Sequence, residues 1–304
     1  MTIANSNPLL CDVESGICEM PGSPSTADGN VLPDAGKPVR IIYFTDPICS
    51  SCWGIEPQLR KLKLEYSQHF EIEYRMGGLL PDWTYNSGGI SKPSDVAGHW
   101  DEVSVHYDMP IDGDVWLEDP LHSSYPPSVA FKAAQLQGQD KAIRFLRELR
   151  EMVFLKKINI TKWENLKAAA GMVGLDITQF ENSYRGDARE LFKGDLDLAA
   201  QLGVRGFPTL FFINQKGEQE KIYGTKPYPI FEAALHNLLP TLTRKDVDTD
   251  WKSLFSKYNT LTSREFSELS ETPRSESDAF LQKLMDEGEL TRFRIRNGIL
   301  WIRE

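Results

Sequence analysis

The chemistry of this chain starts with two cysteines. Cys49 and Cys52 lie in "DPICSSCWG" (46–54), between the apolar run "VRIIYF" and a segment with helical spacing. At a helix N-terminus, unpaired N–H groups and the macrodipole favour a thiolate, so Cys49 is expected to be an exposed, acidic attacking sulfur. Cys52, one helical turn on, is expected to resolve a mixed disulfide formed on Cys49. Trp53, Phe44 and Ile48 would supply apolar surface beside the pair. Zinc ribbons use the same spacing, so a four-thiolate site of Cys11, Cys18, Cys49 and Cys52 is an alternative. Against it, six residues separate the first two cysteines, wider than usual for zinc. Cys11 and Cys18 otherwise read as reduced thiols on a tail, or as a shuttle pair whose arm reaches Cys49. The five histidines form no ligand pattern, so no metal or cofactor is expected. Trp83, Trp100, Trp116 and Tyr125 read as packing residues, with a substrate groove around Trp116 and "HSSYPP" as the lesser reading.

A second signal is "GVRGFPTLFF" (203–212), where Phe207-Pro208 enters a strand. The tertiary X–Pro amide lowers the cost of a cis bond, and Pro208 has no N–H to donate. The backbone N–H and C=O of Phe207 would then be free to take an extended peptide as an added strand.

The elements that must place these residues follow from hydrophobic period. "RIIYFTD" (40–46) is a short buried strand, and "FEIEYRMGG" (70–78) alternates as a half-exposed one. Ile55, Leu59, Leu62 and Tyr66 mark a helix between them, kinked by Pro57, so the two strands should run parallel. The middle is helical: 126–138, 139–157 with the stripe Ile143, Leu146, Leu149 and Val153, 161–174 with a capping box from Thr161, then 176–186 and 187–203. "PTLFFI" and "QEKIYG" (219–224) form an antiparallel hairpin, and 229–239 a closing helix. After residue 243 come three short helices and a hairpin turning at Asn297-Gly298. Residues 1–37 have no period and read as a flexible tail.

Composition narrows the function classes. The chain has 304 residues, is 40% hydrophobic and carries a net charge of −10, which disfavours binding to nucleic acid or anionic membranes. The C-terminal "RFRIR" is set among many acids, so DNA binding is disfavoured there too. There is no apolar run of transmembrane length, and the N-terminus lacks a signal-peptide pattern. A cytoplasmic location is the expectation.

Cys49-Ser-Ser-Cys52 with Trp53, Pro57, the helical insert and Gly206-Phe207-Pro208-Thr209 resemble the DsbA-like branch of the thioredoxin superfamily. "DPICSSCWGIEPQLRKLK" and "DGDVWLEDPLHSSYPPSVAFKAAQLQG" resemble its FrnE-like group, and especially the SpxH/YjbH-type adaptors, which present the regulator Spx to the ClpXP protease. The resemblance implies an α/β thioredoxin-like fold of 38–242 with a helical insert at about 79–203 and Pro208 closing over the cysteines, while the three helices and hairpin themselves read as a winged-helix-like module at 243–304. Three features depart from the family. Tyr43 stands where thioredoxin has a buried acid, the intervening dipeptide is Ser-Ser, and the N-terminus has cysteines where the adaptors tend to have histidines.

The function expected is cytoplasmic thiol–disulfide exchange, reductive or isomerising, on protein disulfides. Cys49 and Cys52 would be catalytic, Phe207, Pro208, Trp53 and Ile48 substrate-binding, and a cellular thiol the reductant. The alternative is a protein-binding adaptor for regulated proteolysis, docking a client through the groove and the C-terminal module. An isomerase of the glutathione-transferase kappa type ranks below both, because that group usually keeps Ser or a single Cys.

Overall fold

The computed structural model describes residues 11–12, 16–19, 36–84 and 92–304. Most of the expected tail, 1–37, therefore lies outside the described residues. Two short strands within it are described, β1 (Cys11–Asp12) and β2 (Ile17–Glu19). The aperiodic sequence gave no sign of them, because a two- or three-residue strand has no period to read.

The central sheet begins with β3 (Val39–Thr45), followed by the helices α1 (Ser50–Gly54) and α2 (Glu56–Tyr66) and by β4 (Phe70–Met76). β3 and β4 are parallel, in register from Val39 opposite Phe70 to Thr45 opposite Met76. The expected single kinked helix is two helices that meet at Ile55, with Pro57 in the first turn of α2, where its missing N–H costs nothing. A helical layer follows: α3 (Pro93–Tyr107), α4 (Val115–Glu118), α5 (Tyr125–Gln135), α6 (Gln139–Phe154), α7 (Trp163–Met172), α8 (Ile177–Arg185) and α9 (Ala188–Gln201). The chain then returns through β5 (Gly206–Phe207), β6 (Thr209–Asn214), β7 (Gln219–Tyr223) and α10 (Tyr228–Leu238). The sheet order is β4-β3-β6-β7, with β6 antiparallel to both of its neighbours. β3 is central and buried on both faces, whereas β4 lies at an edge, which is why its sequence alternates.

Two local expectations differ. Thr161 does not cap α7: Lys162 holds that position, and the Thr161 hydroxyl donates to Asn159 Oδ1 at 2.7 Å. The acceptor two residues back is closer to hand than the helix N–H groups. Trp83 packs edge-on against Trp116, Trp116 edge-on against Trp100, and Trp100 tilted against Phe154, with Trp100 and Trp116 buried. Trp116 therefore belongs to the core and lines no groove.

The C-terminal elements are α11 (Trp251–Lys257), β8 (Thr260–Thr262), α12 (Ser263–Ser270), α13 (Arg274–Asp286), β9 (Thr291–Ile295) and β10 (Gly298–Ile302), with sheet order β8-β10-β9. Three helices and a hairpin were expected here; β8, too short to show a period, lies between the first two helices. The apolar residues of these elements, among them Phe255, Phe266, Leu281 and Trp301, form a cluster with Leu64 of α2. The hairpin turns at Arg296-Asn297, one residue before the expected position, because Gly298 is already paired with Ile295. A side chain at Gly298 would come within 2.9 Å of Pro110 Cβ, and the Asn297 amide donates to Ile111 O at 2.8 Å. Glycine is required here for close approach to the helical layer.

Candidate functional site

Cys49 is the N-cap of α1, and its sulfur accepts the Cys52 N–H at 3.2 Å. The loop before it is closed by Cys49 N–H donating to Asp46 O and by Ile48 N–H donating to Asp46 Oδ1. Strand β3 thus delivers Asp46, and Asp46 folds the chain into the turn that starts the helix. Both cysteines are free thiols, and both are fully buried.

The charge pattern reverses the expected one. Burial pushes the Cys49 thiol well up, and its hydrogen bond to Cys52 pushes it further. Burial opposes the Cys52 thiolate as well, but the hydrogen bond from Cys49 and the charge of Arg150 outweigh it, so the Cys52 thiol is lowered. A five-residue helix contributes little dipole, whereas Arg150 is a whole charge, fully buried on α6. Arg150 donates to Thr45 Oγ1 at 2.6 Å and pairs with Glu56. The Tyr43 phenol, with burial as the main cause, is held protonated.

Sequence reasoning placed no acid here beyond noting its loss at Tyr43. Asp46 is such an acid, fully buried, with its carboxyl raised by burial to about 6. Its Oδ2 accepts from Leu79 N–H at 2.8 Å and from Ser124 Oγ at 2.9 Å. An acid at a strand end three residues before Cys49 was visible in "DPIC". Arg150 had no such sign, since only the fold brings α6 beneath Cys52.

The residues expected to meet a substrate divide. Phe207 and Pro208, joined by a cis bond, lie at the site, with the Phe207 ring packed over Gly77, where a Cβ would fall 1.8 Å from ring carbon Cζ. The backbone of Phe207 is not open: Cys18 of β2 pairs with it antiparallel, and Glu19 pairs with Gly206. Trp53 and Ile48 offer no surface. The Trp53 ring stacks on Phe154 at 5.6 Å, donates from Nε1 to Pro110 O at 3.1 Å and lies under the Arg147 guanidinium. Ile48 is buried.

The Cys18 sulfur lies 3.4 Å from the Cys49 sulfur and 3.4 Å from Ser51 Oγ. Cys18 is disulfide-bonded, so the four-thiolate zinc alternative lacks one of its ligands. Ser51 Oγ also shares a 2.8 Å hydrogen bond with the Tyr107 hydroxyl, which ties α1 to α3. No helix among the described residues is long and apolar enough to cross a membrane.

Residues 43–233 match the family model described as Thioredoxin. Among solved structures, the cytosolic disulfide reductase DsbM from Pseudomonas aeruginosa superposes with a TM-score of 0.54 at 19% identity, over 66% of this chain and 99% of that one. At that identity the likeness concerns the fold. Along the sequence, the ClpXP adapter protein SpxH of Halalkalibacterium halodurans is 35% identical over 98% of both chains. SpxH of Shouchella clausii is 33% identical over 96% of this chain and 95% of its own. These relatives overturn the reading of the chain as a disulfide oxidoreductase or isomerase. The relatives that match it from end to end are adapters by name, the disulfide reductase shares only its fold, and the expected nucleophile is buried and protonated. The protein disulfides and thiol reductant expected as partners fall with that reading. By end-to-end similarity and by fold, the chain belongs to the SpxH family, built on a DsbA-like thioredoxin-type domain.

Proposed function

We propose that this protein is a cytoplasmic adapter that binds a client protein and presents it to ClpXP. The carrying observation is the 35% identity to SpxH over 98% of both chains, which includes the C-terminal unit that the thioredoxin-type domain does not explain. The state of the cysteines supports it. A turnover enzyme needs its nucleophile within reach of solvent, and here both sulfurs are enclosed. The C-terminal unit at about 243–304 adds a surface that disulfide chemistry does not need, and it is the natural place for a client to dock. Spx, which the family resemblance names as client, is the first to test.

The experiment is reconstituted proteolysis with ClpXP, Spx and the full chain. Addition of the chain is expected to speed loss of Spx at least about tenfold, the gain expected of presenting a client on a tethered second site. Cys49→Ser with Cys52→Ser should retain that gain. Equal Spx lifetimes with and without the chain would remove the adapter reading.

A further inference from the structure

A hollow of about 230 Å³ opens at the seam between the loop that follows α3 and the C-terminal unit. Arg264 of α12, Arg274 of α13, Arg294 of β9 and Arg296 of the hairpin turn line it, against the carboxylates of Asp108 and Asp278. Cations therefore outnumber anions two to one there, in a chain whose net charge is −10. One arginine takes both carboxylates. Arg274 grips Asp108 with Nε at 2.5 Å and Nη2 at 3.0 Å, and donates from Nη1 to Asp278 at 2.8 Å. The other three guanidiniums keep donors to spare. Arg264 uses one nitrogen on Glu268, and Arg296 uses one on Asp101 and Asp114, acids that stand outside the hollow. Arg294 is exposed and has no hydrogen bond or ion pair among the described residues. Pro110, Ile295 and Ile299 supply apolar wall, which limits the water that can screen these charges.

We propose that this hollow binds a phosphoryl group carried on a peptide. A carboxylate is satisfied by one guanidinium fork, whereas a phosphoryl dianion offers three acceptor oxygens, and three guanidiniums with unused N–H groups line one space. At about 230 Å³ the hollow is smaller than the roughly 300–1,000 Å³ that encloses a drug-sized ligand, so it suits a single modified side chain rather than a nucleotide. The peptide follows from what adjoins the hollow. Arg294 and Ile295 belong to β9, the edge strand of the order β8-β10-β9, and the outer backbone groups of β9 pair with no strand among the described residues. An extended segment can add there, main chain to main chain, while its phosphorylated side chain turns into the hollow. Phe293, exposed on the opposite face of β9, leaves apolar surface for the flanking side chains. That the peptide belongs to a client rests on the adapter reading; the affinity for a phosphoryl group does not.

The test uses the full chain and the fluorescence anisotropy of a short labelled peptide with a central phosphoserine between β-branched residues. It should bind about tenfold or more tightly than the same peptide carrying serine or glutamate at that position. Equal affinity for the phosphoserine and glutamate peptides, or no binding of either, would overturn the phosphoryl site. Inorganic phosphate should displace the labelled peptide only at concentrations about tenfold or more above those of unlabelled phosphopeptide, since it lacks the strand contacts. Equal potency would give the hollow to the free ion and overturn the peptide. Arg294→Met, which breaks no contact of the fold, should weaken phosphopeptide binding about tenfold. Arg292→Met removes the same charge from the same strand outside the hollow and should leave affinity within about twofold. Equal losses in the two variants would reduce the effect to diffuse charge and overturn the site. No arm involves ClpXP or a client, so failure of the adapter assay leaves all of them readable.

Discussion

Arg150 decides which of the two cysteines ionises first. Its guanidinium is the buried cation beneath Cys52, and Glu56 is its counter-ion. Arg150→Met should therefore move the thiolate absorbance of the full chain to higher pH, and a titration that superposes on wild type would refute its role. Asp46 makes a contrary contribution. A carboxyl raised from 3.8 to about 6 binds its proton more tightly in the folded chain, and the difference corresponds to roughly 3 kcal/mol. The stability it confers is complete below the unfolded value and is lost as pH rises through about 6. Urea midpoints of wild type should thus fall, relative to Asp46→Asn, between acid and neutral pH; parallel profiles would contradict this. Cys49, Cys52, Phe207 and Pro208 could be read from local spacing, because each stands in a short motif with its own geometry. Arg150 could not, since an arginine on an amphipathic helix is ordinarily solvent-facing.

At the scale of elements, one buried carboxylate ties the C-terminal unit to both α2 and α6. Glu265, at the start of α12, closes a capping box with Thr262 and is fully enclosed. Arg147 of α6 reaches it with both terminal nitrogens, at 2.7 and 3.0 Å, and Arg60 of α2 lies 3.3 Å away. Burial disfavours its charge, but the two arginines hold its carboxyl below the usual range, so its stabilisation is lost as pH falls through that lowered value. Glu265→Ala leaves a buried guanidinium short of a partner and should cost about 3–5 kcal/mol by urea denaturation. Glu268→Ala, which removes a partly exposed i,i+4 pair with Arg264, should cost no more than about 0.5 kcal/mol. Similar losses in the two variants would remove the special role given to Glu265. Gly77→Ala drives a methyl into the Phe207 ring and should cost about 1–3 kcal/mol, read as a lowered midpoint. The strands and most helices followed the hydrophobic period. α3 went unplaced although Val96, Trp100, Val103 and Tyr107 repeat at four, three and four, because Pro93 and Gly98 punctuate the segment. β1 and β2 had no period at all, and β2 is defined by its pairing with the backbone of β5.

At the scale of the molecule, the thioredoxin-type frame and the C-terminal unit share a wall. Removing residues 243–304 should uncover Leu64 on α2 and abolish the proposed delivery of a client to ClpXP while leaving the Cys49–Cys52 geometry intact. Delivery that survives the truncation would place the docking surface elsewhere. The wall is built on Trp53. Its indole lies between the Phe154 ring and the Arg147 guanidinium, and Arg147 grips Glu265. A partner that levers α12 outward must slide that guanidinium off the indole. Tryptophan emission would then change, so the molecule carries its own optical gauge of being seized.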